Sequence, residues 1–364
     1  MSLIVENVDK DVDEVAHLQG INLTLKRGAF NVLLGPTLSG KTSLLRLLSG
    51  LDSPSGGKII LDGQDIGSVP VWKRGVSMVY QQFINYPHLN IFENIAFPLR
   101  RARMAKADIK AKVHEVAEML HIDSFLDRMP GELSGGQQQR TALARSLVKD
   151  AGLLLLDEPL LNLDYKLREE LRDEFMNIFA KKQDTIIVYS TTEPFEALML
   201  GGNICILDEG RQLQTGLTHE VYRNPCCEAV ARIFNDPPMN MIDGIVSDGA
   251  IVLGDGLQLP LPSHLSALAD GPYNFGIRAA HLSLTRANAK ETGFDAVVEL
   301  AEVSGSETFI HARHNGVLWV VQEEGVHGHS MGQTFPVFFD PAYLFAFDKQ
   351  GWLAAAPVPT DSPL

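Results

Sequence analysis

Short apolar runs alternate with amphipathic segments along the first 235 residues. Val113, Val116 and Leu120 recur at helical spacing inside a helical stretch from about 87 to 149. Residues 41–49 predict a further helix. Strands that alternate with helices and are apolar throughout indicate a parallel sheet covered on both faces. Four continuously apolar runs predict its buried strands: residues 30–34, 153–156, 186–188 and 204–207.

The pattern changes at residues 235–240 (NDPPMN), where two prolines and three turn-forming residues stop a preceding helix. Beyond this point short alternating strands are separated by Gly/Asp turns, as in DGIVSDGAIVLGDG. The sequence therefore predicts an α/β domain over residues 1–235 and a small all-β, barrel-like domain over 236–355. We expect Trp319 and Trp352 in the core of the second domain, and a loose tail at 356–364.

Composition and charge narrow the class of protein. The 364 residues are enough for two domains, and no apolar run approaches the about 18–20 residues that span a bilayer. The acidic start, MSLIVENVDKDVDEV, does not resemble a signal peptide. A net charge of −14 argues against a nucleic-acid partner, and three cysteines without CxxC spacing suit a reducing cytoplasm.

One Gly-rich turn has the pattern GxxxxGK[ST] between a predicted strand and a predicted helix. In that context the backbone N–H groups of the loop and of the helix N-terminus can surround phosphate oxygens. Lys41 would reach the β- and γ-phosphates of ATP, and the Thr42 hydroxyl would coordinate Mg²⁺. The candidate phosphate-binding residues are Gly35, Pro36, Thr37, Leu38, Ser39, Gly40, Lys41, Thr42 and Ser43.

Two carboxylates follow the buried run at 153–156. Asp157 fits a Mg²⁺-binding role, and Glu158 fits a general base that orients a water. A strand followed by a turn would explain LLLLDE alone. The phosphate loop upstream makes a catalytic interpretation the better one.

A third motif, LSGGQ, lies between these two. Ser134 can cap the following helix, and the glycines at 135 and 136 let the N-terminus of that helix approach a phosphate closely. The candidate nucleotide-binding residues of this motif are Ser134, Gly135, Gly136 and Gln137. With these three motifs the sequence resembles an ATP-binding cassette (ABC) ATPase over essentially its whole length. The resemblance implies that Gln81 belongs to the glutamine loop, which senses Mg²⁺ and the membrane partner, and that residues 161–164 form the D-loop.

Further segments resemble sugar-importer ATPases of the maltose and glycerol-phosphate type: residues 86–100, 275–282, 305–311 and 339–348. That resemblance implies a P-loop domain with a helical subdomain, followed by an OB-like (TOBE/MOI-type) regulatory β-domain. It also implies a peripheral position on the cytoplasmic face of the plasma membrane, beneath two membrane-spanning permease subunits. A second ATPase subunit would complete each ATP site with its LSGGQ, and a periplasmic binding protein would deliver the solute.

The chain departs from the family pattern in one half-site. At the end of residues 186–192 (IIVYSTT) the family has Thr-His-Asp, so Thr192 stands where the switch histidine would contact the γ-phosphate. Leu38 replaces a glycine, and leucine is strained there if the position needs a positive φ. Val12 stands where an aromatic residue would stack on adenine.

These departures suggest an impaired ATP site in this chain, whereas its LSGGQ is intact and would serve a non-identical partner ATPase. A glycerol-like polyol importer with two different ATPases would fit this pattern. Two alternatives stay open: a fully active homodimeric sugar-importer ATPase, and a structural or regulatory subunit that binds ATP without hydrolysing it. Non-transport ABC ATPases are disfavoured, because the chain has one cassette, no heptad run and an acidic balance.

Overall fold

A computed structural model describes residues 2–82, 84–161, 165–180 and 182–358. The chain divides into two compact units, residues 1–218 (unit 1) and residues 219–364 (unit 2). Among the described residues, no helix is both long and apolar enough to cross a membrane.

Unit 1 combines a sheet with helices. Its described strands are β1 (Ser2–Val12), β2 (Val15–Lys26), β3 (Phe30–Leu34), β4 (Gly56–Leu61), β5 (Gln64–Asp65), β6 (Val76–Val79), β7 (Leu153–Asp157), β8 (Ile186–Thr191), β9 (Asn203–Asp208) and β10 (Arg211–Leu217). Its described helices are α1 (Lys41–Ser49), α2 (Ile91–Arg101), α3 (Lys106–Met119), α4 (Gly135–Leu147), α5 (Tyr165–Ala180) and α6 (Pro194–Leu200).

The sheet of unit 1 has the strand order β5-β4-β1-β2-β10-β9-β3-β8-β7-β6. Strands β9, β3, β8 and β7 pair in parallel, as predicted from their continuously apolar runs. Strand β6, which the sequence did not predict, pairs in parallel with β7. The other pairs along β5-β4-β1-β2 and β10-β9 are antiparallel, so the prediction of a parallel sheet was wrong for this part. The two parts join at β2 and β10, where the register holds one pair, Arg211 with Gln19.

The parallel strands position the candidate phosphate loop. All five residues of β7 are buried, and β3 and β8 lie side by side with Leu34 opposite Thr191. Since parallel strands end at the same edge of a sheet, the loop after β3 and the residues after β7 and β8 meet there. The apolar face of α1 packs into the core beneath them through Leu44, Leu45 and Leu48.

The stretch predicted as helical, 87–149, contains α2, α3 and α4. Asn90 caps α2, with its side-chain oxygen accepting a hydrogen bond of 2.8 Å from Glu93 N. At the start of α4 the Ser134 side chain accepts from Gln137 N, and Gln137 Oε1 accepts from Ser134 N at 3.0 Å. This reciprocal capping fixes the backbone of the LSGGQ segment.

Unit 2 contains two antiparallel sheets around one core. Their orders are β13-β12-β11-β14-β20-β21 and β15-β19-β16-β17-β18. The described strands are β11 (Asn240–Ser247), β12 (Ala250–Leu253), β13 (Gln258–Pro260), β14 (Gly271–Ile277), β15 (Leu282–Ser283), β16 (Thr292–Ser304), β17 (Glu307–His314), β18 (Val317–Glu324), β19 (Thr334–Phe339), β20 (Phe345–Phe347) and β21 (Leu353–Ala355). The core placement of Trp319 is confirmed, whereas Trp352 is 57% exposed, so its core placement was wrong.

The units divide 17 residues before the domain boundary predicted at 235/236. Helix α7 (Thr218–Arg223) begins at this division, and α8 (Glu228–Ile233) follows it. Glu228 Oε1 accepts a hydrogen bond of 2.8 Å from Asn274 Nδ2 on β14, and Ala231 packs against Phe345 and Phe347. These contacts explain why residues 219–235 belong to unit 2, although the boundary was predicted after them, at the two prolines. The tail is described only as far as residue 358, without regular structure beyond 355, and the rest of 356–364 lies outside the described residues.

Candidate functional site

Small-molecule sites in proteins have volumes of roughly 300–1,000 Å³. The cavity at the carboxyl edge of the parallel strands measures ≈ 650 Å³. Its walls are formed by residues 15–17, 37–43 and 209–210 and by the side chains of Gln81, Glu158, Leu161 and Thr192. Most of the candidate phosphate-binding residues therefore share one cavity with the candidate base.

Two residues of the phosphate loop have left-handed backbone conformations. Gly40 has φ 101°, and a Cβ there would lie 2.7 Å from Leu18 Cδ2, so the position requires glycine. Leu38 has φ 69° and a side chain that is 93% exposed. The backbone strain predicted for Leu38 follows from this φ, at roughly 1–2 kcal/mol, and no packing of its side chain offsets it.

Lys41 is the buried cation of the cavity. Its Nζ donates hydrogen bonds to the carbonyl oxygens of Gly35 (2.8 Å) and Pro36 (2.9 Å) and lies 3.3 Å from Glu158 Oε1. Burial lowers the pKa of Lys41, while the nearby Glu158 carboxylate opposes this effect. Gly35 and Pro36 thus act through their carbonyl oxygens, which hold the ammonium group over the loop.

Asp157 links the ends of strands β7 and β8 to the first turn of helix α1. Its Oδ1 accepts hydrogen bonds from Ser190 Oγ (2.8 Å) and Thr42 Oγ1 (3.2 Å), and burial raises its pKa. The oxygens of Thr42 and Asp157, with the amide oxygen of Gln81, are the hard ligands that Mg²⁺ prefers. This donor set fits the ion predicted from the sequence.

Glu158 follows directly and faces the cavity. Its Oε2 accepts a hydrogen bond of 3.1 Å from Gln81 Nε2, which leaves the Gln81 amide oxygen free to act as a ligand. Its backbone N–H donates to Ser190 O and Ser190 Oγ at 3.2 and 3.0 Å, and its φ is 45°. Strand β8 therefore fixes the turn that points this carboxylate at the phosphate loop.

A buried network follows β8 on the side of Thr192. The Oε2 atom of Glu196 accepts hydrogen bonds from Thr191 Oγ1 (2.6 Å) and Tyr189 OH (3.1 Å). Thr191 Oγ1 also accepts from Glu193 N at 2.9 Å. The turn that carries Thr192 is thereby held from both ends, and Thr192 itself lines the cavity. Sequence reasoning missed this anchoring role of Glu196.

The remaining predicted residues lie elsewhere. Residues 134–137 are not among those that line the cavity, and Val12 is not either; Val15, Ala16 and His17 form that wall instead. The exposed His17 lines the cavity, and its carbonyl oxygen would lie 3.2 Å from a Cβ at Gly40. Sequence reasoning missed His17 because this approach depends on β2 crossing the loop. Of the predicted D-loop, Leu161 lines the cavity, whereas residues 162–164 lie outside the described residues.

Comparison with protein families gives two matches. Residues 18–161 match the family described as ABC transporter, and residues 236–282 match the family described as MalK OB fold domain. The first match contains all three motifs identified in the sequence. The second begins at the residue after the predicted domain boundary.

Whole-length relatives include import proteins. The chain is 36% identical over 359 residues to the trehalose/maltose import ATP-binding protein MalK of Thermococcus litoralis, covering 94% of this chain and 96% of the relative. It is 33% identical to the alpha-glucoside transport ATP-binding protein AglK of Rhizobium meliloti, covering 96% and 98%. It is 37% identical to an sn-glycerol-3-phosphate import ATP-binding protein of Rhizobium johnstonii, covering 86% and 87%.

Solved structures of ATP-binding cassettes match more than half of the chain. A dimeric bacterial ABC transporter cassette superposes with a TM-score of 0.54 at 27% identity, covering 59% of this chain and 98% of that chain. A post-hydrolysis state of an ATP-binding cassette bound to ADP and Pi gives a TM-score of 0.53 at 28% identity, over the same shares of the two chains.

Proposed function

This chain belongs to the ATP-binding subunits of ABC transporters, and we propose that it couples ATP binding and hydrolysis to the uptake of a sugar or a polyol. Relatives of this length are named for the import of sugars and of glycerol phosphate. The single observation that carries the proposal is the cavity shared by Lys41, Thr42, Gln81 and Glu158, with Asp157 bonded to Thr42 beneath it.

Each residue has a role that its geometry supports. The N–H groups of residues 37–43 and the Lys41 ammonium bind the phosphates of ATP. Thr42, Asp157 and Gln81 would hold Mg²⁺, which would neutralise phosphate charge when bound. Glu158 orients the attacking water as general base, and its hydrogen bond to Gln81 couples it to the loop that senses the membrane partner.

The half-site built from this chain's own phosphate loop hydrolyses ATP slowly. Thr192 faces the cavity but has a shorter reach than histidine and no capacity for positive charge. Loss of a positioned catalytic group costs ~10²–10⁴-fold in rate. The strained Leu38 backbone adds a second departure in the same half-site.

Partners follow from this asymmetry. Residues 134–137 are exposed or intermediate apart from Gly136, their backbone is fixed by reciprocal capping, and they do not line the chain's own cavity. They complete the ATP site of a second, non-identical ATPase subunit. The pair lies on the cytoplasmic face of the membrane, bound to two permease subunits that receive solute from a periplasmic binding protein. A glycerol-like polyol is the solute that this two-ATPase arrangement favours.

The test is ATP turnover by the complete transporter, purified with the ATPase partner that it carries. Glu158→Gln in this chain is expected to leave ATP turnover within about 2-fold of wild type, because the partner's ATP site carries out most of the hydrolysis. The matched control is the equivalent Glu→Gln change in the partner, which should abolish turnover. Loss of activity with Glu158→Gln would contradict the slow half-site. Co-purification of two identical ATPases would favour the homodimer instead.

A further inference from the structure

Unit 2 has a cavity of ≈ 480 Å³ on the outer face of its six-stranded sheet. Along β11 burial alternates: Ile242, Gly244 and Val246 are buried, whereas Asp243 and Ile245 are exposed. The exposed positions face away from the core, where β12 and β14 flank them on either side. The volume lies within the range of small-molecule sites.

One row across the three strands is apolar. Ile245 pairs with Val252 on β12 and with Pro272 on β14, so the three side chains form a continuous strip. Ile245 is 53% exposed and Val252 is 37% exposed. Since apolar side chains offer water no hydrogen bonds, covering this strip with the C–H face of a small ring is more favourable than leaving it exposed to water.

The next row is polar. Asp243 pairs with Asn274 on β14, and Asn274 Nδ2 donates to Glu228 Oε1 on α8 at 2.8 Å. Lys349, after β20, lines the same cavity. In the part of the chain that the structure describes, neither the Asp243 carboxylate nor the Lys349 ammonium group is engaged in a side-chain hydrogen bond or an ion pair. A carboxylate acceptor and an ammonium donor are thus both available beside the apolar strip.

The charge of the cavity selects among ligands. Glu228, Asp243 and Asp348 face one cation, Lys349, so the formal net charge of the lining is −2. Anionic compounds such as sugar phosphates and nucleotides are disfavoured by this charge. Neighbouring hydroxyl groups of a sugar can donate to carboxylates and accept from an ammonium group, while the C–H face covers apolar side chains.

We propose that this cavity on unit 2 binds an unphosphorylated sugar. The restriction to a sugar or a polyol rests on the proposed function, because the same lining alone would also accept other neutral ligands with several hydroxyl groups. Within that class the apolar strip of Ile245, Val252 and Pro272 favours the ring of a sugar over an open-chain polyol. The Ile245 strip holds the ring face, and Asp243, Asn274 and Lys349 bind the hydroxyl groups.

Isothermal titration calorimetry of the full chain tests this with maltose, trehalose, glucose, glycerol and glucose 6-phosphate. At least one of the neutral sugars is expected to bind, and glucose 6-phosphate is expected to bind at least ~10-fold more weakly than glucose. Asp243→Asn should weaken sugar binding ~10-fold, and Ile245→Arg should abolish it, because arginine covers the strip. Both positions are exposed, so circular dichroism and thermal unfolding should show that the variants fold.

The matched control is Asp295→Asn, which changes an exposed aspartate on β16 in the other sheet. It should leave sugar binding unchanged. The proposal is overturned if no sugar binds at millimolar concentration, if Ile245→Arg binds as wild type does, or if glucose 6-phosphate binds more tightly than glucose.

Solute uptake by the assembled transporter separates this inference from the proposed function. If the transporter takes up a sugar but the full chain binds none, the proposed sugar site on unit 2 is wrong and the proposed import function stands. If the chain binds a sugar and Ile245→Arg abolishes that binding, but the transporter takes up no sugar or polyol, the site on unit 2 stands and the proposed import function is wrong.

Discussion

Strands β7 and β8 lie side by side and end at the same cavity, but they carry different chemistry there. β7 ends in Asp157 and Glu158, which contact Thr42, Lys41 and Gln81 directly. β8 ends in two hydroxyl residues: Ser190 Oγ donates to Asp157 Oδ1, whereas Thr191 Oγ1 donates to Glu196 Oε2, away from the cavity. The end of β7 retains the carboxylates proposed to bind Mg²⁺ and to orient the attacking water. The end of β8 is held by hydrogen bonds but is followed by Thr192, which has no imidazole. An ATP site can therefore keep affinity while losing rate.

The largest expected effect is on ATP binding by the groups beside the end of β7. Lys41→Ala removes the buried ammonium group and should weaken ATP binding by ~10²-fold, because it deletes charge-assisted contacts to phosphate. Titration with a fluorescent ATP analogue measures this. Lys149→Ala is the matched control, since Lys149 is also a lysine that donates to a backbone carbonyl, Val76 O at 2.7 Å, outside the cavity. Equal losses in the two variants would mean that folding, and not phosphate binding, is affected.

The second effect concerns the strand end that lacks the imidazole. Thr192→His should raise ATP turnover of the purified chain by ~10–10²-fold, because histidine adds a positioned donor beside the cavity. Steady-state phosphate release measures the gain. Thr192→Ser keeps the hydroxyl and should leave turnover unchanged. If histidine gives no gain, the end of β8 does not limit the rate, and the comparison of the two strand ends fails.

The third effect tests how β8 is anchored. Burial raises the pKa of Glu196, so the folded state holds the proton more tightly than the unfolded state does. This contribution to stability is present at low pH and is lost as the pH rises above the ordinary value for a glutamate. Relative to Glu196→Gln, wild type should lose unfolding free energy as the pH rises above the ordinary pKa of a glutamate, because the unfolded state releases this proton first.

Urea unfolding at several pH values measures that difference. Glu193→Gln, on the same turn but 40% exposed in its side chain, is the matched control and should follow wild type. A pH profile of Glu196→Gln parallel to that of wild type would show that Glu196 does not titrate differently in the folded state.

The smallest effect comes from the phosphate loop itself. Leu38→Gly should stabilise the chain by roughly 0.5–1 kcal/mol, because relief of the positive φ exceeds the entropic cost of glycine. Leu38→Ala keeps the strained conformation and loses only an exposed side chain, so it should be near neutral. Thermal unfolding compares the three proteins, and equal midpoints for glycine and alanine would show that the loop relaxes its φ in solution.

Sequence predicted the parts of unit 1 that local patterns determine. Strand Phe30–Leu34 and helix Lys41–Ser49 have the predicted bounds, because an apolar run, a Gly-rich turn and an apolar helix face are all local signals. The antiparallel strands β1, β2 and β4 were missed, since their pairing depends on partners far along the chain.

The candidate site divides in the same way. Lys41, Thr42, Asp157 and Glu158 belong to motifs with fixed spacing, so sequence could place them together. His17 enters the cavity only because β2 passes Gly40, and Glu196 becomes an anchor only because α6 folds back on β8. Contacts of this kind are set by tertiary structure and leave no local signal.

The junction between β2 and β10 has a mechanical consequence. Among the described residues, β2 and β10 share one registered pair and a hydrogen bond of 2.9 Å from Asn22 N to Gln212 Oε1, whereas β3 and β8 share five registered pairs. Hydrogen bonds in a ladder share an applied load, so we expect a force that pulls the antiparallel strands β5-β4-β1-β2 away from the parallel strands to separate β2 from β10 more easily than β3 from β8. The wall of residues 15–17 would then separate from the phosphate loop while the parallel strands, with Asp157 and Glu158, stay intact.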